Sequence, residues 1–249
     1  QSVGMAKEFF DKYSLVKNIF KKADEVLEFP ISKLILEGPS EQLNITENTQ
    51  PSIFLASYSI FSVIKSEFNI DLNNAKYFAG HSLGEYSALT AANSVDFEDA
   101  IKLLKKRGKS MQLAVPFGQG AMIAILGQEI KDIEKILFNI GAENCQVAND
   151  NCPGQVVVSG KLSELNTLMN TLKKLSIKNI KLPVSAPFHS KLMKASTEIM
   201  RKEINNTKFN IPLPKIISNV DAFEHGNTEK IKKLLIEQIE GRVKWRESI

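Results

Sequence analysis

The chain has 249 residues, 43% of them hydrophobic, with a formal net charge of +4 and only two cysteines. That is enough apolar material for one large domain or a domain carrying an insert, and no apolar run reaches the roughly 18 residues that cross a bilayer. The lysines are spread along the chain with no single basic block, so no nucleic-acid partner is implied. Cys145 and Cys152 are too few and wrongly spaced for a metal site or a disulfide framework, and residues 1–5 lack the layout of a signal peptide. The default expectation is a reduced, cytoplasmic setting with no membrane partner.

In chain order, Val16, Ile19, Phe20, Ala23, Val26 and Leu27 recur at helical spacing after a capping residue, Ser14, which predicts an amphipathic helix over 15–28, stopped by Pro30. A weak β-prone run follows at 33–36. Pro51 suits the first turn of a helix over 52–68, apolar on nearly every side and so expected inside. Tyr77, Phe78 and Ala79 form a short strand-like run, and 85–92 is rich in helix formers. Asp96, with Asp99 three positions on, opens a helix through Ala100, Leu103, Leu104 and Met111 that carries Arg107.

From Gly118 the pattern becomes strand 121–126, helix 130–140, strand 144–148, strand 155–159, helix 162–175 and strand 178–182. This β-α-β-β-α-β order is that of the ferredoxin-like unit. The predicted fold is therefore α/β, with residues 117–185 as an inserted ferredoxin-like subdomain in a larger body made of 1–116 and 186–249. The larger body resumes with a helix over 190–206, a strand over 215–219 and a helix over 228–240. Its convincing strands, around Phe78 and Ile217, are fewer than a buried parallel sheet needs. With no initiating methionine and no terminating signal at the far end, this leads to the expectation that the sequence is truncated at both ends.

Gly80-His81-Ser82-Leu83-Gly84 places one serine between two glycines where a strand should turn into a helix. Such a turn pushes the serine hydroxyl outward, toward a helix N-terminus that favours a negative oxygen. A serine nucleophile needs a base, and the chain has three histidines. His81 adjoins Ser82 and should point elsewhere, and His225 lies in the polar loop Glu224-His225-Gly226-Asn227, which leaves His189 in Ala186-Pro187-Phe188-His189-Ser190. Read blindly, a lone loop histidine is usually incidental, an arginine in Lys105-Lys106-Arg107-Gly108-Lys109 is usually a surface charge, and Phe188 is usually a core aromatic. Lys102, Lys105, Lys106 and Lys109 read either as a solvated helix face or as a basic strip for an acidic partner, as do Lys191 and Lys194.

The run GHSLGEYSA at 80–88 resembles the active-site signature of malonyl-CoA:acyl carrier protein transacylases and related acyltransferase domains of fatty-acid and polyketide synthases. The resemblance extends through TQPSIFLAS at 49–57, KRGKSMQ at 106–112, PGQVVVSG at 153–160 and PVSAPFHS at 183–190, and so covers essentially the whole chain. It implies an α/β-hydrolase-like larger body and a catalytic Ser82–His189 dyad, with a backbone carbonyl, matched here to Lys244, orienting the imidazole. It further implies that Arg107 binds the malonyl carboxylate, that Leu83 N–H is one oxyanion donor, and that Phe188 favours malonyl over methylmalonyl. Met111 falls among the substrate-binding positions. The second oxyanion donor would lie on a glutamine of an N-terminal loop of which only Gln1 matches.

The function so implied is malonyl transfer from malonyl-CoA to the phosphopantetheine thiol of acyl carrier protein through a malonyl-serine, by a monomer without metal or redox cofactor. Two alternatives stay open in the sequence: a serine hydrolase or thioesterase using the same Ser82 and His189, and an inactive carrier-binding fragment. A plastid location is open if a targeting peptide precedes the sequence.

Overall fold

A computed structural model describes residues 1–68, 70–184 and 186–249. The chain divides into two compact units, one of Gln1–Lys109, Asn205–Ile217 and Glu224–Thr228, the other of Ser110–Ile204, Ser218–Phe223 and Glu229–Ile249. Ser185, the expected last residue of an insert, lies outside the described residues. The strands are β1 (Tyr77–Phe78), β2 (Gly120–Leu126), β3 (Cys145–Cys152), β4 (Gln155–Lys161), β5 (Asn179–Lys181), β6 (Lys215–Ile217) and β7 (Glu224–His225).

The first unit is mainly helical: α1 (Lys7–Lys12), α2 (Ser14–Leu27), α3 (Ile31–Glu37), α4 (Ser40–Leu43), α5 (Thr46–Glu67), α6 (Gly84–Ala91) and the greater part of α7 (Phe97–Leu113). Helix α2 buries Val16, Phe20 and Ala23, one stripe at helical period, and its cap position is Tyr13; Ser14 is already helical and makes no capping bond. The run at 33–36 is helix, not strand. Ile31, Leu34 and Ile35 are buried at i, i+3 and i+4, and the Asp24 carboxylate accepts the Ser32 N–H at 2.8 Å, satisfying one of the free donors of the first turn.

Helix α5 begins earlier than expected and takes Pro51 into its interior. Its first turns are polar yet buried, because Thr49 Oγ1 donates to the Leu43 carbonyl at 2.6 Å and Asn48 Nδ2 to the Gln42 carbonyl at 2.9 Å. The sheet of this unit is β1-β6-β7, with β1 parallel to β6 and β7 antiparallel to it. The expected parallel sheet is thus mixed among the described residues, and its third strand is β7, which contains the His225 that the sequence reading put in a loop.

The second unit is built on the sheet β3-β4-β2-β5, in which every pairing is antiparallel. With α8 (Ile130–Asn139) and α9 (Leu162–Lys174) between strands, this is the ferredoxin-like order expected from sequence. Strand alternation separates two apolar faces. Ala121, Ile123 and Ile125 join Ile133, Leu137, Leu165, Leu168 and Leu172 under the helices. Met122, Ala148 and Val157 face the other way, where Leu182, Val184 and Phe188 pack on them. The chain leaving β5 is thereby anchored beside His189. It continues through a short turn at Lys191–Met193 into α10 (Lys194–Asn206), which starts later than the expected helix over 190–206; α11 (Thr228–Glu237) and α12 (Trp245–Ser248) follow.

Candidate active site

In the first unit, Ser82 sits between β1 and α6 with φ 53°, a left-handed backbone that costs a serine about 1–3 kcal/mol and persists only under close constraint. Gly80 supplies the constraint. A Cβ there would overlap the Gly84 carbonyl, so the turn closes only because residue 80 has none, whereas a Cβ on Gly84 would meet open space. Leu83, the residue after the serine, is the N-cap of α6, which puts its backbone N–H among the donors at that helix end. An apolar cleft of about 600 Å³ runs past Ser82 and Leu83 and is lined further by Ile53, Phe61, Leu72 and Phe78. His81 is exposed.

Arg107, read blindly as a surface charge, is 2% exposed. Its Nη1 donates to Gln50 Oε1 at 2.7 Å and its Nη2 to Ser82 Oγ at 3.2 Å, while the guanidinium carbon stands 5.9 Å from the centre of the Tyr86 ring. Burial lowers the guanidinium pKa, partly offset by Tyr86 and by the carboxylate of Glu85; arginine is basic enough to keep its charge there. Burial likewise pushes the Tyr86 hydroxyl up to about 12, against the opposing pull of Arg107, so it is neutral at working pH. Gly108 lets the helix come this close, since a Cβ on it would overlap the Thr46 carbonyl at the start of α5. A fixed cation within hydrogen-bond reach of a serine hydroxyl can hold the carboxylate of an acyl group carried on that oxygen.

In the second unit, His189 is 3% exposed and also left-handed, with φ 55°. Its Nδ1 lies 2.7 Å from the Gln238 carbonyl. A carbonyl only accepts, so Nδ1 carries the proton and Nε2 of the neutral ring is left with a lone pair, the tautomer a general base requires. This corrects the expectation for Lys244. Helix α11 ends at Glu237, so the Gln238 carbonyl stands just past a helix end and receives the ring N–H. Lys244 instead donates its backbone N–H to the Asn219 carbonyl at 2.9 Å and receives the Ser248 hydroxyl at 2.8 Å.

Phe188 is half-buried against Met122, Ala148 and Val157, and Met111 is buried at 1% exposure. Among the described residues no group of three or more His, Cys, Asp or Glu is placed to hold a metal ion, and no helix is long and apolar enough to cross a membrane. Sequence reasoning named Ser82, Leu83, Arg107 and His189 but not the partners of Arg107 and His189. Gln50 had one signal, its place in the TQPSIFLAS run at 49–57; Gln238 acts through its backbone and had none.

The family model described as an acyl transferase domain matches residues 1–238. A malonyl CoA-acyl carrier protein transacylase of Bacillus subtilis is 39% identical over 252 residues, covering 100% of this chain and 78% of that protein. A crystal structure of an acyl-carrier-protein S-malonyltransferase from Bartonella henselae superimposes with a TM-score of 0.95 at 36% identity, covering 100% of this chain and 80% of that one. A type II polyketide synthase acyl-carrier protein in complex with its malonyl-transacylase gives a TM-score of 0.95 at 34% identity, again over 100% of this chain and 80% of that one.

Proposed function

Because the chain belongs to the malonyl CoA-acyl carrier protein transacylase family, we propose that it moves a malonyl group from malonyl-CoA to the phosphopantetheine thiol of an acyl carrier protein, with Ser82 as nucleophile and His189 as its base. The observation that carries this reading is the 3.2 Å approach of a buried arginine to the strained serine. Neither a general esterase nor a passive binding surface needs a cation held there.

In the first half-reaction the Ser82 hydroxyl gives its proton to His189 Nε2 as Oγ attacks the thioester carbonyl carbon. The resulting oxyanion is met by donors that include Leu83 N–H. The C–S bond breaks, and the departing thiolate of CoA takes the proton from His189. The malonyl ester on Ser82 is held by Arg107 through its free carboxylate, with Gln50 fixing the other arm of the guanidinium. In the second half the carrier thiol gives its proton to Nε2, attacks the ester carbonyl, and Oγ leaves with that proton. Phe188 favours an unbranched malonyl group, and Met111 belongs to the substrate-binding set. The chemistry uses a hydroxyl, an imidazole and a guanidinium and routes no step through a metal or redox group.

We place the reaction in the cytoplasm, feeding fatty-acid elongation, with residues 117–185 as an insert in a catalytic body of 1–116 and 186–249. Lys102, Lys106 and Lys109 are exposed on one side of α7 at i, i+4 and i+7, which suits an acidic carrier. Lys105 is committed elsewhere, to Asn48 at 2.8 Å and Glu47 at 3.2 Å. Initial rates over a grid of malonyl-CoA and carrier concentrations test the proposal. Parallel double-reciprocal lines with slow hydrolysis are expected; release of malonate to water as fast as carrier loading would favour the hydrolase instead.

A further inference from the structure

We infer that Gln146 is a positioning residue for the His189 imidazole, an inference that rests on the role proposed above for His189. Gln146 stands on β3, distant from His189 in sequence, and its carboxamide joins three backbone groups. Nε2 donates to the His189 carbonyl at 3.1 Å and to the Glu240 carbonyl at 3.0 Å, while Oε1 accepts the Lys191 N–H at 3.1 Å. The flipped amide would set its oxygen against two carbonyls and its NH₂ against an N–H, so the three contacts together fix one orientation.

Those three groups belong to the two segments that create the ring's own hydrogen bond. His189 and Lys191 are in the loop that carries the imidazole. Glu240 lies just beyond Gln238, whose carbonyl receives Nδ1–H. Gln146 therefore ties the loop bearing the ring to the segment bearing its acceptor, and it does so from a strand paired in register with β4 at Cys145, Gln146 and Val147. The left-handed backbone at His189 makes such a tie necessary, since a conformation of that kind relaxes when its neighbours cease to hold it. A ring displaced by about 1 Å loses on the order of 100-fold in proton transfer.

Gln146→Met keeps the length of the side chain and removes all three bonds. Gln146→Glu keeps the acceptor for Lys191 but turns a carboxylate onto two carbonyls. With malonyl-CoA and carrier as substrates, Gln146→Met should lower kcat by about 10- to 100-fold and leave KM for malonyl-CoA within about twofold, with Gln146→Glu lower still. Added to His189→Ala, Gln146→Met should cause no further loss, because the amide acts only through the ring.

Wild-type kcat in Gln146→Met beside an inactive His189→Ala would overturn the positioning role alone, as would equal fractional losses with and without His189. Full activity in His189→Ala would overturn the base assignment, and the positioning role with it. If Gln146→Met does not accumulate as folded protein by its thermal midpoint, the same comparison with Gln146→Glu decides the matter.

Discussion

The two units hold their candidate functional side chains by different means. In the first, Ser82 and Arg107 are fixed by close packing and side-chain contacts: a glycine that admits the Gly84 carbonyl, a second glycine that admits the start of α5, and a charge held between Gln50, Tyr86 and the serine. In the second, His189 is fixed through backbone groups: the Gln238 carbonyl receives its ring N–H, and the Gln146 amide donates to its own carbonyl. The serine turn leaves a contiguous sequence signature, whereas the ties at His189 leave none, because their partners are a backbone carbonyl and an amide on a remote strand.

The largest effect should come from the charge in the first unit. Truncating one member of a buried hydrogen-bonded polar cluster typically costs 2–5 kcal/mol, roughly 30- to 5,000-fold. Arg107→Ala should lose malonyl loading on that scale while acetyl loading changes little, measured side by side with the two CoA esters. Malonyl loading that persisted beside unchanged acetyl loading would show that the guanidinium does not select the carboxylate.

Next in size is a cavity in the core of the second unit. Leu168 is fully buried under the four-stranded sheet, so Leu168→Ala should destabilise by about 2–5 kcal/mol in denaturant unfolding. The folded protein should keep near wild-type KM. If the site depended on bulk core packing more than on specific ties, KM and kcat would shift in step with stability.

The smallest effect is a contrast in thiol reactivity within the second unit. Burial, reinforced by Glu164, pushes the Cys145 thiol up to about 12, while Cys152 is exposed. Alkylation at mildly alkaline pH, read by peptide mass, should label Cys152 and spare Cys145 until denaturant is added. Equal labelling of both in the folded state would mean that the β3 edge opens far more readily than its packing implies.

How much was legible follows the same division. Short apolar runs between turn residues, and longer runs at periodicity 3.6, exposed the βαββαβ order, because β2, β3 and β4 carry buried apolar residues and α8 and α9 each have one plainly apolar side. The helical unit was harder. The run Lys33-Leu34-Ile35-Leu36 is apolar enough to pass for a strand, but the burial of Ile31, Leu34 and Ile35 shows that tertiary contacts chose helix. The short β7, lying in a stretch as polar as Glu224-His225, had no hydrophobic signal at all. Arg107 was visible only by resemblance, since nothing in its lysine-rich neighbourhood announces a buried charge. The assignment of Lys244 failed because which carbonyl meets the ring depends on where α11 stops.

The central claim is a malonyl-serine at Ser82. Mixing the protein with malonyl-CoA and weighing it intact, followed by peptide mapping, should give one malonyl adduct per chain on the 80–88 segment, absent in Ser82→Ala and discharged by carrier thiol. A folded protein that forms no adduct, or one that forms it equally in Ser82→Ala, would contradict the account.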